Sequence, residues 1–486
     1  MPDGKGMLSS LFLACLQSAP QDPPAQPVPS APAGEVQPVR SEALIESARR
    51  ELGEMQRSLH LLRSEDGGRA AAPLVEVGPD GEVIPDKSEL KPSNERWRLF
   101  SQGAAGFKVT GWVSQGANYN FTQPRDNSNG PLTWNDRAND YQLNEVYTTF
   151  DNQKLFGGAD WGVGARVDLL YGTNARYVTS AGLESTWNSG NEYGVAMPNA
   201  YVEVTTGRIK TKLGHFMSPV GFYAIGTANN FFNVLPYTFQ YGEPFTHTGM
   251  LSTMQVRDDL TVGVGVTGGW DSTANWRSQS SPIGVANAWN RHVGALVTIT
   301  KNDLRKSGDS LAYVGVWSQE PDVTLTGRDS RYLQTLVYTN PLAENVTWVV
   351  HTDLGYQNNA VTPKGSGRND AWWYGLNQYV TWTLNSEWSL GANLEWFRDE
   401  DGFRVGSPLP SLGTPNSTSF GRGLFQGNFF RAVVGPQWAP HPNLLVRPAV
   451  VYDCYQGPGA TGGAKPFDGG TSDDQLLVML DLVVFF

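Results

Sequence analysis

The chain of 486 residues carries 36 Lys and Arg against 47 Asp and Glu, a net charge of −11. Charged side chains make up only 17% of it, yet the mean hydropathy is −0.35, because Gly, Asn, Thr and Ser rather than aliphatic bulk take their place. No stretch reaches the ~18 apolar residues of a spanning helix, the 16 Trp, 18 Tyr and 21 Phe rule out a solvated disordered chain, and the acidic balance opposes nucleic acid as a partner.

From the N-terminus, the apolar run Met7–Leu16 follows Lys5 and precedes Ser18 and Ala19, which predicts a signal peptide over 1–19. Residues 20–40 are rich in Pro and Ala and read as an extended linker. Over 41–63 the period changes: Ile45, Ala48, Leu52, Met55, Leu59 and Leu62 recur at spacings of three and four, the seam of a short coiled-coil helix. Such a helix either oligomerises copies already held together by a larger body or lies on that body. It could also reach a periplasmic or cell-wall partner. Residues 64–102 return to linker composition. Cys15 and Cys454 supply neither a disulfide framework nor a metal-ligand cluster. Before Trp97 there is one Phe, no Tyr and no Trp, so the aromatic unit is the C-terminal one, expected over 103–486.

That unit alternates. In Gln475–Phe486 every even position is apolar while the odd set carries Asp481. One apolar face opposite a carboxylate suits a wall with lipid outside and water inside. The same period of two runs through 163–169, 260–267, 293–299 and 388–396, whereas 141–150, 309–318 and 330–339 resist assignment of faces. Sixteen candidate strands follow, near 105–120, 141–151, 159–171, 198–206, 208–216, 247–256, 259–270, 291–301, 309–318, 330–339, 345–357, 371–384, 386–397, 426–438, 442–453 and 474–486. Eighteen is the alternative count. The connections between them alternate long and short, with both ends of the unit on the short-turn side. A soluble sandwich or propeller has no reason to alternate its loops in this way. The fold expected is all-β, a transmembrane antiparallel up-and-down barrel of the bacterial outer membrane, in contact with lipid.

The stretches 161–177 (WGVGARVDLLYGTNARY), 197–204 (MPNAYVEV) and 212–251, with its EPFTHTG element, and the terminal Phe486 resemble a family of outer-membrane porin-like β-barrel proteins. The resemblance spans the chain from about residue 100 and does not include the heptad segment. It implies passive diffusion through a water-filled barrel, and a C-terminal aromatic read by the assembly machinery.

No phosphate-cradling turn, nucleophile elbow or metal-spaced His pair is present, so neither an enzyme nor a cofactor nor a metal is expected. The function expected is a porin for small hydrophilic solutes or ions. The alternative is a non-conducting barrel that anchors the envelope or mediates adhesion. Monomer and homotrimer both stay open.

The third long loop, Met217–Thr246, carries eight Phe and Tyr and one charge, Glu243. Exposed, it would be a sticky patch; folded inward, it would narrow the pore, with Glu243 near the constriction. A lid on the outer rim or on a neighbouring subunit is the other placement. Lys108, Arg166, Asp168, Arg431 and Arg447 have inward parity and are the wall groups expected opposite Glu243. For each of them an internal ion pair is the competing role. Trp161, Trp270, Trp388 and Trp396, near strand ends, are expected as a membrane-interface girdle.

Overall fold

Alternating β-branched, aromatic and small polar residues produce strands whose two faces differ in polarity, and such strands can hide every backbone donor from lipid only by closing on themselves. The computed structural model shows that closure. It describes residues 97–98, 107–184, 187, 192–273, 293–321, 328–361, 368–406, 425–460 and 462–486. The segments expected as signal peptide (1–19), Pro-rich linker (20–40) and heptad helix (41–63), and nearly all of the one expected as a second linker (64–102), lie outside the described residues.

The strands are β1 (Lys108–Asn120), β2 (Tyr141–Gly157), β3 (Trp161–Gly172), β4 (Gly194–Thr206), β5 (Ile209–Met217), β6 (Thr246–Arg257), β7 (Leu260–Thr267) and β8 (Gly294–Asn302) in the first half. The second half holds β9 (Ser310–Pro321), β10 (Arg328–Ala343), β11 (Val346–Val361), β12 (Arg368–Thr383), β13 (Trp388–Asp399), β14 (Gly427–His441), β15 (Leu444–Gln456) and β16 (Asp474–Phe485). Each pairs antiparallel with its chain neighbours, and β1 pairs with β16 to complete a closed barrel of sixteen strands. Gly111 and Phe486 exchange backbone hydrogen bonds of 3.1 and 3.0 Å at that seam. Asn443, in the turn between β14 and β15, holds the backbone of Trp97 by two further bonds.

The outward face is apolar. On β16, Leu476, Val478, Leu480 and Val484 are exposed, while Gln475, Leu477, Met479, Asp481 and Val483 are buried inside. Aromatic side chains mark both rims. Trp161 and Trp388 are exposed at the short-turn end, and Trp388 stacks on Trp438 at 5.6 Å. Trp396 lies near the other end of β13 with its indole N–H donating to Asn428 Oδ1 at 3.0 Å. Trp270 departs from the girdle expected of it. It is 4% exposed, packed edge-on against Trp373 and covered by the guanidinium groups of Arg331 and Arg404. It follows the end of β7, where the chain has turned inward, so its strand parity no longer applies.

The segments that resist assignment of faces have identifiable reasons. Between β1 and β2 the register slips after Ser114, which pairs with Glu145 while Gln115 pairs with Leu143. Asn144 and Glu145 are consequently both buried, and a β-bulge breaks the period of two. On β9 and β10 the inward residues Val314, Val316, Leu333 and Val337 are themselves apolar and buried. They are apolar because loop side chains pack against them inside the barrel.

Candidate functional site

The chain between β5 and β6, here loop L3 (218–245), enters the lumen. Its aromatic residues explain why: Phe232, Tyr237, Phe239, Tyr241 and Phe245 are each no more than 4% exposed and join the wall residues in two apolar clusters. Burying such rings favours the inward position by roughly 1.5–3 kcal/mol each.

Charged wall groups hold the loop backbone. The Glu395 carboxylate on β13 accepts the backbone N–H groups of Tyr237 and Thr238 and the Thr238 hydroxyl, all at 2.7 Å. Glu145 on β2 accepts the Thr227 N–H and the Trp112 indole N–H. Arg447 on β15 donates to the carbonyls of Thr227 and Asn230 at 2.8 and 2.9 Å. Arg431 on β14 donates to the carbonyl of Leu235, and Trp373 on β12 to that of Gly242 at 3.0 Å. L3 thus springs from β5 and β6 and is fastened to β12–β15, on the far side of a ring of sixteen strands. Gly355 on β11 permits the Trp373 contact, since a Cβ there would lie 1.9 Å from the indole ring. Other loops share the interior: Leu132 and Trp134, Arg176 and Tyr177, and Phe403 and Val405 are buried.

The six side chains expected at a constriction do not form one ring. Arg431 pairs with Asp453, and Arg447 with Asp481 at 2.6 Å, all fully buried beneath L3. Glu243 is 2% exposed and faces no open lumen. It lies against β11, with Oε1 3.2 Å from His351 Nε2, and Asp353 Oδ1 is 3.0 Å from that same nitrogen. Arg166 and Asp168 pair through two bonds of 2.9 Å, and the Asp168 carboxylate also accepts Tyr147 Oη and Asn199 Nδ2. Lys108 stands exposed at the short-turn end of β1, in register with Asp151.

A cluster of charged wall groups left partly open to water lies on β2–β5. Asp151, Gln153, Arg166, Tyr201, Glu203, Lys210 and Lys212 line a cavity of about 190 Å³, and Lys212 Nζ sits 4.8 Å over the Tyr201 ring. Strand parity identifies Arg166, but only the fold brings it together with Asp151, Glu203, Lys210 and Lys212. Glu145 escapes sequence reading because the bulge hides its face. Asp271 and Arg404 escape it because they lie in loops. Asp271 accepts the N–H groups of Phe245 and Thr246, and burial raises its carboxyl to about 7 against those two donors. Burial brings the Arg404 guanidinium down to about 9.

Among the described residues three histidines adjoin hydroxyls, and the first, His215, has Nδ1 2.8 Å from Thr248 Oγ1 while its Nε2 meets no carboxylate. At His351 the Thr335 hydroxyl and Asp353 meet the same nitrogen, Nε2, so the ring cannot relay a proton between them as a nucleophile-activating triad requires. His247 Nε2 lies 3.1 Å from Ser218 Oγ, and its Nδ1 faces the carbonyl of Gly269 rather than a carboxylate.

Residues 106–486 match the family model described as "Putative beta-barrel porin-2, OmpL-like". Among solved structures, the chain is similar to the anion-selective porin from Comamonas acidovorans, with 9% identity, 78% of this chain and 99% of that one covered, and a TM-score of 0.50. It is also similar to the outer membrane channel DcaP of Acinetobacter baumannii, with 12% identity, 78% and 97% coverage and a TM-score of 0.49. For OmpT of Vibrio cholerae the values are 9%, 79%, 99% and 0.48. No curated protein matches the chain.

Proposed function

This chain belongs to the beta-barrel porin-2, OmpL-like family of the bacterial outer membrane, and from that premise we propose that it conducts small hydrophilic solutes or ions passively through a lumen narrowed by L3. The observation that supports this most is the division of the interior. L3 is fastened by buried charges on β13–β15 and by Glu145 on β2, while charged groups of both signs on β2–β5 border a water-accessible cavity. A passage along β2–β5 would present Arg166, Lys210 and Lys212 beside Asp151 and Glu203, a strong local field of little net charge. Selectivity would then follow bore and field, favouring polar over apolar solutes. Glu243, Arg431 and Arg447 serve in this reading to fix L3 rather than to touch solute. No step of bond making is required of the protein.

A second reading is favoured by the two apolar clusters that join the loops to the inner wall: a barrel too filled to conduct, acting as an anchor or an adhesive surface. Planar-bilayer recording of purified folded protein separates the two. Stepwise conductance, with liposome swelling that falls as sugar size rises, supports the porin. Stepless membranes over many insertions would overturn it.

A further inference from the structure

We propose that Glu243, His351 and Asp353 form a binding site for a divalent transition-metal ion of the Zn²⁺ type, placed where L3 meets β11. One imidazole nitrogen and two carboxylates from separate segments converge there, with ligand atoms within 4.8 Å of one another and every residue buried. His351 Nε2 lies 3.0 Å from Asp353 Oδ1, 3.2 Å from Glu243 Oε1 and 3.1 Å from Thr335 Oγ1. A single N–H cannot serve three oxygens. Both Glu243 oxygens and Asp353 Oδ2 are in fact buried without a hydrogen-bond donor, as is His351 Nδ1. Orphaned carboxylate oxygens at this depth are costly unless a cation or proton neutralises them.

The chemistry and the spacing suit a metal. His and carboxylate ligands bind Zn²⁺ at about 2.0–2.2 Å in tetrahedral geometry, which places neighbouring ligand atoms roughly 3.4 Å apart. The two imidazole–carboxylate separations fall close to that edge, and the two carboxylate oxygens lie within 4.8 Å of each other. Three protein ligands leave a fourth position for water. The backbone is shaped for this approach: Gly221, at φ +79°, lies so near that a Cβ would sit 2.2 Å from Glu243 Oε2. The ion would tie the end of L3, just after the π-helical turn Thr238–Gly242, to the barrel wall.

The test uses the full-length, untagged, folded protein stripped with chelator, and does not depend on whether the barrel conducts. Titration with Zn²⁺ by calorimetry is expected to give one equivalent, with affinity reduced at least tenfold in Glu243→Gln and Asp353→Asn and binding lost in His351→Gln. Heat-modifiable mobility on gels verifies that each variant is folded. Co²⁺ as a probe of the wild type requires no variant, and an intense tetrahedral visible spectrum is expected. Absence of Zn²⁺ binding, equal binding in all three folded variants, or a purely octahedral Co²⁺ spectrum would overturn the site. In the first of those cases the cluster is neutralised by protons alone.

Discussion

Replacing Arg447 with Met tests whether buried charges hold L3 in the lumen. The guanidinium spends its donors on two partners. Nε and Nη2 bond Asp481 Oδ2 at 2.9 and 2.6 Å, and Nη1 bonds the carbonyls of Thr227 and Asn230 at 2.8 and 2.9 Å. In Arg447→Met, Asp481 keeps only the Ser114 hydroxyl and a long contact to Asn144, both on Oδ1. A buried pair broken in this way costs about 3–5 kcal/mol, weighing on the barrel whether or not L3 is docked. The two carbonyl bonds, at ~1.5–3 kcal/mol each for a charged donor, exist only when L3 is docked. The equilibrium for release of segment 227–230 should therefore shift by about 3–6 kcal/mol, or roughly 10²–10⁴-fold. Single-channel recording should show altered conductance or added noise, and limited chymotrypsin digestion should begin to cut at Phe231 and Phe232. The double variant Arg447→Met with Asp481→Leu removes the stranded carboxylate. It should recover most of the thermal resistance of the barrel but keep the channel and digestion phenotypes. Wild-type recordings and digestion from the single variant, or a double variant less stable than the single, would refute the reasoning.

Three further outcomes are expected. Gly355→Ala drives a methyl into the Trp373 indole and should cost about 1–3 kcal/mol through overpacking, seen as a lower temperature of gel-mobility change; an unchanged temperature refutes the contact. Lys212→Glu reverses one charge in the β2–β5 cavity and should move the reversal potential in a KCl gradient toward cation preference; no movement would exclude this cavity from the ion path. Asp271, raised by burial to about 7 from 3.8, holds its proton in the folded state at pH values where the unfolded chain has released it. The folded state therefore binds more protons between about pH 4 and 7, so stability falls as pH rises through that window. Asp271→Asn should flatten this slope in thermal melts at pH 4.5 and 7.5, and parallel slopes for variant and wild type would count against it.

The barrel was legible because its signal is local and repeated. The alternation of Leu476, Val478 and Leu480 with Leu477, Met479 and Asp481 assigns faces without knowledge of any partner strand, and loop lengths assign rims. The inward parity of Arg166, Arg431 and Arg447 was equally readable. Their roles were not. Parity places Arg431 and Arg166 alike, yet one is sealed beneath L3 and the other borders a cavity, because L3 lies over one arc of the wall and not the other. Glu145 was hidden by a bulge created by pairing with β1. Trp270 was misread because the chain had already left the strand.

By itself the sequence therefore placed sixteen candidate strands in order, with eighteen left open, and set the faces of those whose two-residue period is unbroken, as a pleated chain between lipid and water requires. It also marked L3 as a loop too aromatic to be left in solvent. The tertiary structure alone decided which charges meet. Glu243 and His351 are 108 positions apart in the chain (351 − 243) and touch only because L3 folds across the bore. Whether a buried charge faces a partner, a metal or a solute depends on what closes over it, and in a barrel that is settled by loops whose path no strand period records.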